Sequence, residues 1–146
     1  MEYLGTNNDI TVFDDFAHNP DKISASLRTL KNFDGRLIVM FQAHGFGPLR
    51  LMGQEIIDSF ATHLDENDIL VMPEVYYAGG TVDRSVTAKD IMADAGKKNI
   101  NAHWFENRED VGDFILEQAR PKDRVVIMGA RDDTLHVFAK SLLEQL

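Results

Sequence analysis

The chain has 146 residues, of which 44% are hydrophobic and 9% aromatic, and this size and composition suit one compact domain with a single core. Its 15 lysines and arginines against 24 acidic residues give a net charge of -9, which excludes a broad phosphate-backbone contact with DNA or RNA. The absence of cysteine excludes disulfides, thiolate zinc sites and cysteine nucleophiles, and no apolar run approaches the roughly 20 residues that a membrane helix needs.

Short apolar runs alternate with segments of helical periodicity along the whole chain. The runs are nearly continuous in apolar character, which is typical of strands that are covered on both faces. In chain order, the pattern predicts a strand at 10–13, a helix that begins near 19–20, a strand at 37–41, a helix at about 51–64, a strand at 69–72, a helix at 87–95, a strand at 100–105, a helix at 108–118, a strand at 125–128 and a helix at 134–143. This order predicts an α/β sandwich with a mostly parallel sheet between layers of helices.

The first helix has the clearest start signal. Asn19 is a good N-cap residue, and Pro20 suits the first helical position because its missing N–H is not needed there. Ile23, Leu27 and Leu30 then fall on one stripe, so this helix is expected to pack on the sheet.

Ligands of such sheets bind at the carboxyl ends of the strands. The segments that follow the predicted strands are rich in Gly, His, Asp and Arg, and they cover residues 14–20, 42–50, 73–84 and 129–133. We therefore expect the functional residues in these four segments.

Residues 14–20 (DDFAHNP) place two carboxylates and an imidazole between a strand and a helix. Asp14 and Asp15 are suited to orient ribose hydroxyls or a hydrated metal ion, and His18 is suited to meet an anion near the helix N-terminus. The alternative is structural, because Asp and Asn are also ordinary turn and capping residues.

Residues 42–50 (QAHGFGPLR) read as a loop with two glycines, a histidine and an arginine. Glycines permit close approach of a ligand, and Arg50 is able to grip a carboxylate or phosphate with two parallel hydrogen bonds. The alternative is a flexible loop in which Arg50 only faces water. Residues 76–80 and 129–133 carry weaker versions of the same pattern.

Several signatures of catalysis are missing. The sequence contains no G-x-x-x-x-G-K-[ST], no G-x-G-x-x-G and no G-x-S-x-G, so a phosphate loop, a dinucleotide fingerprint and a hydrolase nucleophile are unsupported. His63, His103 and His136 are expected in ordinary surface or core positions, His136 as an exposed helical residue, and no metal site is predicted.

Four motifs resemble those of the C-terminal domain of the Mur ligases and the related folylpolyglutamate synthases. Residues 15–20 (DFAHNP) resemble the D-[YFG]-A-H-[NHT]-P motif that opens that domain. Residues 41–44 (FQAH), 74–79 (EVYYAG) and 128–130 (MGA) resemble F-Q-P-H, E-V-Y-x-A-G and x-G-A-G of the alanine-adding branch, in the same order and spacing.

This resemblance implies a three-domain cytoplasmic enzyme of peptidoglycan synthesis that joins L-alanine, or a related amino acid or peptide, to UDP-N-acetylmuramate. Such enzymes use ATP and Mg²⁺ through an acyl phosphate, and both are bound mainly by the central domain. Residues 1–146 would then be the Rossmann-like C-terminal domain, with about six strands, and the ATP-binding and UDP-binding domains would lie outside this chain. By itself the chain is expected to be inactive.

The resemblance also implies roles for single residues. Asp15, with Asp14 beside it, matches the position that contacts the nucleotide, while His18 and His44 match histidines that face the amino-acid substrate. The family's arginine four residues after that second histidine is replaced by Pro48, so we expect Arg50 to grip the substrate carboxylate instead.

Three alternatives remain, one from the same family and two from other classes of protein. The alanine-adding ligases usually have tyrosine at the motif position of Phe16, and phenylalanine there resembles the murein-peptide ligases. Those enzymes attach a recycled tripeptide to the same sugar nucleotide. A receiver domain has similar size and acidity, but it needs an aspartate after its third strand and a lysine after its fifth, where this chain has Glu74 and Arg131. A binding-only Rossmann-like module is the third possibility.

Overall fold

A six-stranded sheet forms the centre of the structure, a computed structural model that describes residues 1–75, 82–130 and 132–146. Residues 76–81 and Arg131, which the sequence analysis considered as parts of ligand loops, lie outside the described residues. In chain order, the elements are β1 (Glu2–Asn7), β2 (Ile10–Asp15), α1 (Pro20–Leu30), β3 (Leu37–Gln42), α2 (Phe46–His63), β4 (Ile69–Pro73), α3 (Ala88–Gly96), β5 (Ala102–Phe105), α4 (Arg108–Gln118), β6 (Arg124–Gly129) and α5 (Thr134–Gln145).

The strand order β1-β2-β6-β3-β4-β5 confirms the predicted α/β class. The strands β2 to β6 pair in parallel, and β1 alone runs antiparallel, against β2. The hydrophobic pattern did not predict β1, because this edge strand is largely exposed and carries no apolar run. It joins β2 through Asn8 and Asp9, whose φ values of 51° and 62° suit a two-residue hairpin turn.

The helices cover the sheet in two layers. Val39 and the other side chains on one face pack against α1, α2 and α3, whereas Ile38 and Met40 point to the opposite face, toward α4 and α5. This alternation explains the continuous apolar runs, because both faces of the central strands are buried. No helix among the described residues is long and apolar enough to cross a lipid bilayer.

The start of α2 differs from the sequence prediction. The helix begins at Phe46, not at about 51, so the second half of the expected 42–50 loop is its first turn. Phe46 and Leu49 are buried there and extend the apolar face of the helix toward its N-terminus. Pro48 is tolerated because N–H groups in the first turn have no helical partner. Arg50 is therefore a helical residue.

Charged side chains form hydrogen bonds at the amino-terminal ends of the parallel strands. Asp68, which is 1% exposed, accepts hydrogen bonds from the Leu37 N–H and from Lys31 Nζ, both at 2.8 Å. Arg124 donates to the main-chain carbonyls of Leu30, Phe33 and Gly35. These hydrogen bonds join α1 and the segment before β3 to β6 and to the start of β4, so they stabilise the fold at this end of the strands. A ligand is expected at the opposite end, where the parallel strands finish.

Candidate functional site

A cleft of about 800 Å³ opens at the carboxyl edge of the sheet, beyond strands β6, β3, β4 and β5. Its lining residues lie at the ends of these strands, in the turns that follow them or at the starts of α4 and α5, and they are Gln42, Ala43, His44, Pro73, Glu74, Val75, Glu106, Asn107, Arg108, Glu109, Ala130, Asp132 and Thr134. Three of the four segments expected at this edge, 42–50, 73–84 and 129–133, contribute to the cleft. The fourth, 14–20, reaches it through a contact between two histidines.

His18 and His44 come together although they are 26 positions apart in the sequence. Their ring centroids are 5.5 Å apart and the planes are nearly perpendicular. His18 Nδ1 lies 3.0 Å from the Phe16 carbonyl oxygen, which can only accept, so Nδ1 carries the proton and Nε2 is left for other partners. The two imidazoles thus form one polar corner beside the cleft.

Asp15 is almost completely buried at the end of β2, with 4% of its surface exposed. Its Oδ1 accepts a hydrogen bond from the Ala17 N–H at 3.1 Å, and the Met1 amino nitrogen lies 3.9 Å from the same oxygen. Its Oδ2 is buried and has no hydrogen-bond partner among the described residues. A buried carboxylate oxygen without a donor is costly, so a bound group with donors would stabilise this side chain.

Asp14 points to the other face of the sheet, since successive residues of a strand alternate. Its Oδ2 lies 2.7 Å from His136 Nδ1, and the Glu2 carboxylate is 4.0 Å from the same nitrogen. His136 is therefore half-buried and bound to β2, not an exposed helical residue as the sequence analysis expected. The two aspartates do not form the carboxylate pair that their adjacency implied.

Arg50 lies outside the residues that line the cleft. Its Nη1 is 2.8 Å from Asp83 Oδ2, so it joins α2 to the segment before α3. The sequence analysis placed this arginine on a loop from which it reached back toward His44. That geometry does not occur, because residues 46–50 are helical.

Arg108 is the site residue that the sequence analysis missed. It begins α4 and lines the cleft, and its guanidinium contacts Gln42 at the end of β3, Thr134 at the start of α5 and Asp132 between β6 and α5. Gln42 also donates from Nε2 to Asp132 at 2.7 Å. No local signal marks Arg108, because its partners are distant in the chain and only the fold brings them together.

Asp132 is the most strongly shifted carboxyl group of this cluster. Burial alone raises its pKa, but hydrogen bonds from Thr134, Gln42 and Arg108 outweigh this effect and lower the pKa from 3.8 to about 2. The side chain is therefore held as a carboxylate, and it offsets the charge of Arg108.

This shift predicts a pH-dependent contribution of Asp132 to stability. Because the folded-state pKa lies below 3.8, the stabilisation is complete above that value and is lost as the pH falls toward about 2. Urea unfolding should show that Asp132→Asn is less stable than wild type at neutral pH, with a difference that shrinks toward pH 2. Asp133→Asn is the matched control, and a difference independent of pH would contradict the prediction.

Glu74 has a structural role at the other side of the cleft. Its carboxylate accepts hydrogen bonds from the Val75 and Ala88 N–H groups at 2.9 Å, from Trp104 Nε1 at 3.0 Å and from the Lys89 N–H at 3.3 Å. An anion at the first turn of α3 also interacts favourably with the helix dipole. Glu74 thus fixes the end of β4 to α3 and β5.

Comparison with known proteins agrees with this architecture. Among solved structures, a murein peptide ligase from Psychrobacter arcticus superposes with a TM-score of 0.75 at 24% identity, over 99% of this chain and 29% of that one. A domain of a Haemophilus ducreyi ligase, named for UDP-N-acetylmuramate and an L-alanyl-gamma-D-glutamyl-diaminopimelate peptide, superposes with a TM-score of 0.68 at 23% identity. That match covers 98% of this chain and 96% of the other, so the two domains have nearly the same extent.

The relatives found by sequence identify the family more specifically than the solved structures do. The UDP-N-acetylmuramate–L-alanine ligase of Clostridium tetani is 32% identical over 134 residues, and that of Cereibacter sphaeroides is 33% identical over 147 residues. These alignments cover 90% and 98% of this chain, which spans only 28% and 30% of the length of these relatives. The family model described as "Mur ligase, glutamate ligase domain" matches residues 1–131. The chain therefore belongs to the Mur ligase C-terminal domain family.

Proposed function

We propose that this chain is the C-terminal domain of an ATP-dependent ligase that joins L-alanine to UDP-N-acetylmuramate in peptidoglycan synthesis. The ATP-binding and UDP-binding domains then belong to other parts of a longer cytoplasmic protein. The observation that carries the proposal is the corner formed by His18 and His44, 5.5 Å apart beside the cleft, in a chain 32% identical to such a ligase.

His18 and His44 are proposed to hold the incoming amino acid. An imidazolium donates a charge-assisted hydrogen bond to a carboxylate, and a neutral imidazole accepts from an ammonium or amine. Two nearly perpendicular rings offer nitrogens in different directions, so they bind one end of the amino acid and orient the other. Orientation of the amine toward the activated muramoyl carboxyl group is the contribution of this domain to amide formation.

Asp15 is proposed to contact ATP. Its buried Oδ2, which has no hydrogen-bond partner in the described part of the chain, fits a ligand that brings hydrogen-bond donors, as the ribose hydroxyls of a nucleotide do. We assign the contact to Asp15 alone, because Asp14 points to the other face and is bound to His136. Because the two side chains lie on opposite faces of the sheet, Asp14 and Asp15 are not placed to bind one Mg²⁺ ion together.

Replacing either histidine in the ligase that carries this domain tests the proposal. His44→Asn and His18→Asn are each expected to raise the KM for L-alanine about tenfold to a hundredfold, since a hydrogen bond to a charged group contributes about 1.5 to 3 kcal/mol. The KM for ATP should change little. Steady-state kinetics with each substrate varied in turn measures both values.

His63→Asn is the matched control, because His63 ends α2 at the opposite edge of the sheet. It should leave both KM values unchanged. An unaltered KM for L-alanine in both His18→Asn and His44→Asn would refute the proposed role of the histidine corner.

A murein-peptide ligase is the second candidate. Phe16, which the alanine-adding branch replaces by tyrosine, is 63% exposed and lies 5.8 Å from His18 in ring-centroid distance. An exposed phenylalanine beside the binding corner, together with a cleft far larger than one alanine, favours a longer acceptor. Assaying the ligase with L-alanine and with the tripeptide separates the two, since the preferred acceptor has the higher kcat/KM.

A further inference from the structure

Arg108 occupies a junction of four elements. It is the first residue of α4, while Gln42 ends β3, Thr134 begins α5, and Asp132 lies between β6 and α5. The strands β3 and β6 are neighbours, and Gln42 is paired with Gly129 in their register. A single guanidinium therefore spans the carboxyl ends of the two strands at the centre of the sheet.

The contacts use the planar shape of the guanidinium. Gln42 Oε1 accepts from Nε at 3.2 Å and from Nη2 at 2.8 Å, and Thr134 Oγ1 accepts from Nη1 at 2.7 Å. Nη2 also donates to Asp132 Oδ2. These contacts need donors that point in several fixed directions within one plane, which an ammonium group cannot supply.

The positive charge of Arg108 is balanced by groups of the protein itself. Asp132 is ionised and bound to the guanidinium, and Gln42 bridges the two groups through its own side chain. The Phe138 ring lies 5.7 Å from Arg108 Cζ and covers one side of the guanidinium. This arrangement holds the ends of β3 and β6 together and leaves little positive charge for a substrate.

Gln42, which Arg108 holds in place, is close in the chain to the corner formed by His18 and His44. Only Ala43, which is buried, separates Gln42 from His44, and His44 contacts His18. We propose that Arg108 is a positioning residue of the acceptor site, whose bonds to Gln42 and Asp132 set the place of His44 in the cleft. This inference rests on the proposed function for its kinetic consequence, and on the chain alone for its structural one.

Arg108→Lys tests the proposal, because it keeps the charge and removes the planar set of donors. In the ligase that carries this domain, the KM for the acceptor amino acid or peptide is expected to rise tenfold or more, with kcat and the KM for ATP within about twofold of wild type. Arg120→Lys makes the same chemical change at an exposed position at the amino-terminal edge of the sheet, and should leave all three values unchanged.

A second measurement does not depend on ligase activity. In NMR spectra of the 146-residue chain, Arg108→Lys should shift the His44 ring resonances and raise the titration midpoint of the Asp132 carboxyl carbon from about 2 toward 3.8. Resonances of His63, at the far end of α2, should not move. The isolated Haemophilus ducreyi domain, of nearly the same extent, supports the use of this chain alone.

The two measurements separate the possible failures. Unchanged His44 resonances together with an unchanged acceptor KM would overturn the positioning role. If no acceptor yields an amide with wild-type ligase, the proposed function fails, and the spectra alone decide the role of Arg108. If Arg108→Lys does not fold, Thr134→Val removes one acceptor of the guanidinium, and a His44 shift supports the proposal while its absence overturns it.

Discussion

The 146-residue chain by itself is expected to form no amide bond when it is supplied with ATP, Mg²⁺, UDP-N-acetylmuramate and L-alanine. Phosphoryl transfer to a carboxylate depends on groups that hold the γ-phosphate and its metal ion in line with the acceptor. The sequence has no G-x-x-x-x-G-K-[ST] loop, and its adjacent aspartates lie on opposite faces of the sheet. The expected rate is that of the reaction without enzyme.

Mass-spectrometric detection of the amide product, with phosphate release measured in parallel, checks this expectation. The ligase that carries the domain, assayed under the same conditions, is the positive control. Product formed by the chain faster than without enzyme would contradict this expectation. It would show that the chain can activate the carboxylate itself, without a separate ATP-binding domain.

The fold was predictable from sequence where the local signals were strong. The buried strands β3, β4 and β6 have continuous apolar runs. Helix α1 begins where Asn19 and Pro20 indicate, with Asn19 Oδ1 accepting from the Lys22 N–H at 3.0 Å. The prediction failed at β1, which is exposed at the edge and gains its order from pairing with β2. It also failed at Phe46, where glycines and a proline gave a loop signal but burial of two apolar side chains extends the helix.

The site was predictable only in part. Motif resemblance singled out His18 and His44, and the fold places them side by side. The expectation that Asp14 and Asp15 act together was wrong, because side chains alternate along a strand and these two point to opposite faces of the sheet. The expectation that Arg50 lies in a loop was also wrong, because residues 46–50 are helical. Arg108 had no local signal, because its contacts with Gln42 and Asp132 depend on the neighbouring positions of β3 and β6.

Asp15→Asn in the ligase that carries this domain is expected to raise the KM for ATP about tenfold to a hundredfold and to lower turnover. The reason is the loss of a charged acceptor for the nucleotide, since such hydrogen bonds contribute roughly 1.5 to 3 kcal/mol. The fold should be kept, because asparagine has the same shape and its side-chain oxygen still accepts from the Ala17 N–H. Steady-state kinetics with ATP varied, together with thermal unfolding, measures both effects.

Asp14→Asn is the matched control, one position away on the opposite face of the strand. It weakens the contact with His136 and should lower the melting temperature while the KM for ATP stays the same. If Asp15 has only a structural role, Asp15→Asn would instead lower the melting temperature and leave the kinetics unchanged. Because Asp15 Oδ2 has no donor among the described residues, Asp15→Asn breaks no hydrogen bond at that atom, so stability should be kept while ATP binding weakens.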